Sequence, residues 1–157
     1  IKKGYTPPIH DLTIVSNEPV SRTGIPQGED ILDIALEDEN FSFWLVAYNL
    51  DKSSIAGMKE ANEIAKFAKK NGYNFYCLTS TSQPGINEMR KKIDPVFNFF
   101  TTDPITLKTI VRANPGLVLL KKGTVLGKWH YNDFPETEDL PDIMENLENE
   151  YLNNKTK

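Results

Sequence analysis

The chain has 157 residues, about the size of one average domain, and its 39% hydrophobic residues, with 10% aromatics, suffice to fill a single core. Eighteen Lys+Arg against 22 Asp+Glu give a formal charge of −4, which argues against nucleic acid or a general affinity for anionic lipid, while leaving room for a local basic patch. The one cysteine, Cys77, excludes an internal disulfide, a cysteine-based zinc cluster and dithiol chemistry within the chain. The longest apolar run, Phe43–Tyr48, is far short of the roughly 20 residues that cross a bilayer, so this segment is not expected to insert into a membrane. The chain begins at Ile1 with no charged-then-apolar leader, and the expectation is a processed product or a piece of something longer.

Residues 1–40 read as an extended arm. Pro7, Pro8, Pro19, Gly24, Pro26 and Gly28 interrupt it, leaving one short candidate strand at Asp11–Ser16. Ile31–Leu36 suits either a strand or a helical turn, and the polar Glu37-Asp38-Glu39-Asn40 follows it. Phe43–Asn49 is nearly all apolar without clean alternation, the pattern of a central strand covered on both faces. Beyond a polar loop at Leu50–Ser54, the residues Ile55, Met58, Ala61, Ile64, Ala65 and Ala68 recur at helical spacing, and Asn71-Gly72 supplies the stop.

Tyr73–Thr79 reads as a second buried strand and Pro84–Lys92 as a short helix, so strand, helix, strand, helix predicts a parallel strand pair. Val96–Thr101 is a brief extended segment. Thr102-Asp103-Pro104 then opens a helix through Arg112, with Asp103 or Thr102 as cap, and Asn114-Pro115-Gly116 ends it. Leu117–Leu120 and Val125–His130 flank Lys121-Lys122-Gly123-Thr124 as an antiparallel hairpin, which makes the sheet mixed. Leu140, Ile143, Met144, Leu147 and Tyr151 form one stripe of an acidic last helix before a polar tail at Asn153–Lys157.

This order from Phe43 onward resembles the thioredoxin fold with an N-terminal extension. Three local features carry the resemblance: the apolar strand running through a loop into the helix Ile55–Lys70, the Asn114-Pro115 pair where thioredoxins place a cis-proline, and the Leu117–Val125 strand, charged turn and strand. The resemblance implies a three-layer α/β/α sandwich with a mixed central sheet, one domain made of an arm (1–40), a thioredoxin-like core (41–152) and a tail (153–157). It also implies that Asn114-Pro115 is cis. The arm is similar to the N-terminal hairpin of secreted and periplasmic thioredoxin-like proteins. More narrowly, Tyr5–Asp11 together with Arg112–Lys121 resembles the soluble C-terminal region attached to some bacterial DoxX-type membrane proteins. That implies an extracytoplasmic, membrane-tethered location and, as partner, a membrane-embedded segment of the same chain or an extended peptide.

Where thioredoxins carry Cys-x-x-Cys, this chain has Leu50-Asp51-Lys52-Ser53-Ser54-Ile55. Their chemistry needs a thiolate at a helix N-terminus, and a serine hydroxyl cannot replace it in electron transfer. Thiol-disulfide exchange therefore does not carry over, whereas a groove able to pair with an extended peptide can. The candidate contact surface is Asp51, Lys52, Ser53 and Ser54 with Asn114 and Pro115, and no catalytic, cofactor or metal residue is assigned.

Other residues read more simply as structure than as chemistry. Cys77, mid-strand between Tyr76 and Leu78, suits a buried structural thiol better than a lone reactive one. Ser53 and Ser54 suit a helix cap or a solvated loop better than a hydrolase nucleophile, since neither His10 nor His130 has a recognisable partner in the sequence. Glu37-Asp38-Glu39 lacks the alternation of a calcium loop, and Gly24 and Gly28 sit between prolines rather than between a strand and a helix. Trp44 and Trp129 are expected to pack, although Trp129-His130-Tyr131 could also form an aromatic ledge. The leading expectation is a redox-inactive binding or assembly module. The alternatives are a single-cysteine enzyme using Cys77 for peroxide or mixed-disulfide chemistry, and a purely structural domain.

Overall fold

In the computed structural model, residues 13–16, 18 and 23–155 are described. Residues 11 and 12 of the expected arm strand, and the Tyr5–Asp11 stretch with His10, lie outside them. The elements are α1 (Leu32–Glu37), β1 (Phe41–Val46), α2 (Ile55–Lys70), β2 (Asn74–Thr79), α3 (Gln83–Ile93), β3 (Asn98–Thr101), α4 (Pro104–Ile110), β4 (Gly116–Lys121), β5 (Thr124–His130) and α5 (Leu140–Lys155). Five strands form one sheet in the order β3-β2-β1-β4-β5. β1 pairs parallel with β2 and antiparallel with β4, so the mixed sheet implied by the helical crossover and the hairpin is present.

Strand alternation splits the core in two. Phe43, Leu45, Cys77, Phe99, Leu117 and Leu119 face α2, α3 and α5, whereas Trp44, Val46, Leu78, Phe100, Val118 and Leu120 face α1 and α4. Each large apolar side chain so enclosed contributes about 1.5–3 kcal/mol of transfer free energy before entropy is counted. The small residues Ala61, Ala65 and Ala68 on the buried stripe of α2 bring that helix close to the sheet. Its end follows from the chain: Gly72 takes φ +77 and the Tyr73 N–H donates to Ala68 O at 2.8 Å, closing the last turn.

Several boundaries differ from the sequence reading. Of the two readings open for Ile31–Leu36 the helical one holds, as α1, whereas in the expected strand Asp11–Ser16 Val15 makes only isolated bridges, to Asp30 and to Thr101 at the edge of β3. β1 runs from Phe41 to Val46 rather than Phe43–Asn49. Its partner β4 reaches Lys121 at one end, and at the other stops at Gly116, before a proline that has no N–H to extend the ladder. α4 ends at Ile110, not Arg112, because Val111 turns extended and packs against Gly116, where an added Cβ would lie 2.6 Å from Val111 Cγ2. The expected tail at 153–157 is helical through Lys155, since extending an existing helix gains a hydrogen bond per residue.

Candidate functional site

The loop between β1 and α2 starts with Asn49 and a single 3₁₀ turn at Leu50–Lys52. Leu50 is buried and anchors the loop, its N–H donating to Thr81 Oγ1 at 2.9 Å beyond the end of β2. Ser54 is the N-cap of α2: its Oγ accepts from the Gly57 N–H at 3.0 Å, the role expected of a serine at a helix start. Its own N–H donates to Asn114 O at 3.2 Å. Asp51 and Lys52 are exposed.

Asn114 is the hub. Its side-chain Nδ2 donates to Asn49 O at 2.8 Å, and its Oδ1 accepts from the Ser53 hydroxyl at 2.7 Å, with Asn49 O also 3.0 Å from Ser53 Oγ. The Asn114–Pro115 peptide is cis. Pro115 is buried, and a Cβ placed on Gly57 in the first turn of α2 would lie 3.3 Å from Pro115 Cδ and 2.8 Å from Tyr131 Cβ. Glycine at position 57 is thus required by the close approach of three elements.

The sequence-predicted contact residues therefore do come together, since Ser53, Ser54, Asn114 and Pro115 form one hydrogen-bonded and packed junction with Asp51 and Lys52 on its rim. The carbonyl of Asn114, beside the proline, is taken up within the fold, since the Ser54 N–H donates to it. Sequence reasoning missed Asn49, whose carbonyl serves both Asn114 and Ser53, and Gly57. A glycine inside an otherwise helical pattern was the available signal for the latter. Nothing local marked Asn49 as a partner of Asn114, which lies 65 residues away.

This junction holds no nucleophile with a base. Ser53 Oγ has its proton committed to an amide oxygen, and His130 is exposed, with Nδ1 accepting from the Asn132 N–H at 3.1 Å. Cys77 sits in the middle of β2, opposite Leu45 on one side and Phe99 on the other, and is 0% exposed. Its burial pushes the thiol far up from its ordinary value of 9.0, so it is not a thiolate at neutral pH. Among the described residues, no three His, Cys, Asp or Glu side chains come together to hold a metal ion, and no helix is long and apolar enough to cross a membrane. Trp44 lies in the core and Trp129 packs at its edge, both as side chains of the sheet.

Neither a protein-family model nor a curated protein matches the sequence. Solved structures do match its shape. A candidate thiol:disulfide interchange protein, DsbE, from Chlorobium tepidum aligns with TM-score 0.62 at 13% identity, covering 94% of this chain and 98% of its own. The thioredoxin domain of a thiol-disulfide oxidoreductase from Bacteroides vulgatus aligns with TM-score 0.57 at 12% identity, covering 94% and 98%. A thiol:disulfide interchange protein of the thioredoxin family from Chlorobium tepidum TLS gives TM-score 0.57 at 12% identity over 86% and 93%. With the mixed five-stranded sheet and its two helical layers, these similarities show that the chain has the thioredoxin-like α/β fold.

Proposed function

We propose that this chain is a redox-inactive thioredoxin-like module for binding or assembly. The observation that carries the reading is the placement of its one thiol: Cys77 is enclosed in the sheet, while the head of α2 carries Asp51, Lys52, Ser53 and Ser54. A thiol that is neither ionised nor reachable cannot attack a disulfide or a peroxide, so the same observation weighs against the single-cysteine enzyme. The binding surface is the rim of the Asn114–Pro115 junction, with Asp51, Lys52 and the edges of Ser53, Ser54, Asn114 and Pro115 meeting an extended peptide. A DoxX-type membrane segment as tether, and an extracytoplasmic location, complete the proposal. They rest on the resemblance of the Arg112–Lys121 segment and on the thiol:disulfide interchange proteins that share the fold.

Thiol labelling of the native protein at neutral pH tests the redox half. The expected result is modification of Cys77 only after denaturation, with no acceleration of insulin reduction by dithiothreitol. Rapid stoichiometric labelling of the folded protein would favour the enzyme instead. For the binding half, Lys52→Glu combined with Asn114→Ala is expected to weaken a crosslinked partner. Unchanged capture would place the interface elsewhere, and a chain whose deletion alters no association would be the purely structural domain.

A further inference from the structure

Across the Asn114–Pro115 segment from Ser53 and Ser54, between α4 and the ends of β1 and β5, lies an open cavity of about 950 Å³ lined by Tyr48, Ile105, Lys108, Arg112 and Lys128 among others. It contains three cations and no carboxylate, in a chain with more acids than bases. Among the described residues, none of the three is in an ion pair: Lys108 Nζ lies 4.9 Å over the Tyr48 ring, Lys128 Nζ donates to Ile110 O at 2.7 Å, and Arg112 has no polar partner. Asp103, the acid of α4, is at the opposite end of the helix, where its carboxylate caps the Thr106 N–H. Ile105 is 74% exposed beside these charges.

We propose that this pocket docks an acidic segment of extended polypeptide, its carboxylates meeting Lys108, Arg112 and Lys128 while an apolar neighbour rests on Ile105 and Tyr48. The proposal deepens the binding-module reading and takes from it the kind of occupant. Three features select a peptide. The cavity volume is that of a drug-sized or several-residue ligand rather than of one inorganic anion. Arg112 and Ala113 make no backbone hydrogen bond among the described residues, so their N–H and C=O groups can pair with an extended chain that then runs on past Asn114. An anionic bilayer gains only about 1 kcal/mol per basic residue, and the three cations here are fewer than the clusters of about 4–8 that hold a chain to a lipid surface. Burial also holds the Lys128 ammonium below its ordinary range, a deficit that an incoming carboxylate relieves.

The test uses the full chain, ¹⁵N-labelled, and an octapeptide alternating glutamate with leucine and valine, beside its glutamine counterpart. The acidic peptide is expected to shift the amides of Tyr48, Lys108, Arg112 and Lys128, to bind more weakly as salt is raised, and to lose about tenfold in affinity in Lys108→Glu/Arg112→Glu. Lys59→Glu, on the exposed face of α2, is the control and is expected to change nothing. Equal binding of the glutamine peptide, unchanged affinity in the double variant, or no binding at millimolar peptide would overturn the proposal. So would tighter binding to phosphatidylserine vesicles, or full competition by glutarate at equal concentration. Shifts confined to Ser53, Ser54 and Asn114 that survive the double variant would refute this pocket while leaving the binding-module reading intact. Dimerisation lost in the double variant would make the occupant the acidic last helix of a second copy.

Discussion

The two sides of the Asn114–Pro115 segment are built on opposite principles. On the α2 side, hydrogen bonds run from Asn114 to Asn49, from Ser53 to Asn114, from Ser54 to Asn114 and from Gly57 to Ser54, and Pro115 is wedged against Gly57 and Tyr131. On the α4 side, Lys108, Arg112 and Lys128 stand without carboxylates around an open cavity. One side spends its polar groups on the fold; on the other, Lys128 holds the Ile110 carbonyl, while Lys108 and Arg112 are left without a counter-charge. A side chain whose hydrogen-bonding capacity is used up inside the protein reports on stability when mutated, whereas a solvated cation without a partner contributes little to folding and is available to a ligand.

Substitutions should therefore separate the two sides in a graded series of unfolding free energies from urea titration. The largest loss, about 3 kcal/mol, is expected for Gly57→Val, whose branched side chain must enter the space held by Tyr131 Cβ and Pro115 Cδ. Wild-type stability there would mean that the three elements are not locked together. Asn114→Ala should cost about 2 kcal/mol, since it removes both side-chain hydrogen bonds of the hub, from Nδ2 to Asn49 O and from the Ser53 hydroxyl to Oδ1. Ser54→Ala, which deletes the N-cap of α2, should cost about 1 kcal/mol. Arg112→Glu should stay within about 0.5 kcal/mol of the parent. A loss of 2 kcal/mol there would mean that the guanidinium supports the fold, and the contrast between the sides would collapse.

Much of this site was legible in the chain. The helix Ile55–Lys70 is set by its apolar period and by the Gly72 stop, and α2 has those bounds. Ser54 as a cap follows from its place just before the first apolar position. Asp103 likewise caps α4, ahead of Pro104. Each of these depends on neighbours within one turn of backbone. By contrast, the end of α4 depended on Val111 packing against Gly116 and on Lys128 reaching Ile110 O from another strand, so extrapolating its period to Arg112 overran it. The short segment at Ile31–Leu36 was ambiguous for a related reason. Six residues do not distinguish a strand from a helical turn until the sheet face that covers them is in place.

The sequence by itself determined the order of strands and helices from β1 onward, the mixed sheet, and the presence of a single cysteine in this chain, because apolar periodicity, turn residues and the number of cysteines are properties of the chain that no packing can change. Only the tertiary structure decided what surrounds Asn114, how deeply Cys77 is enclosed, and that Lys108, Arg112 and Lys128 converge on one cavity. Asn49 and Asn114 are 65 positions apart, and Lys108 and Lys128 come from a helix and an edge strand. The free energy of such contacts depends on distance and solvent exposure in three dimensions, and sequence separation carries no information about either.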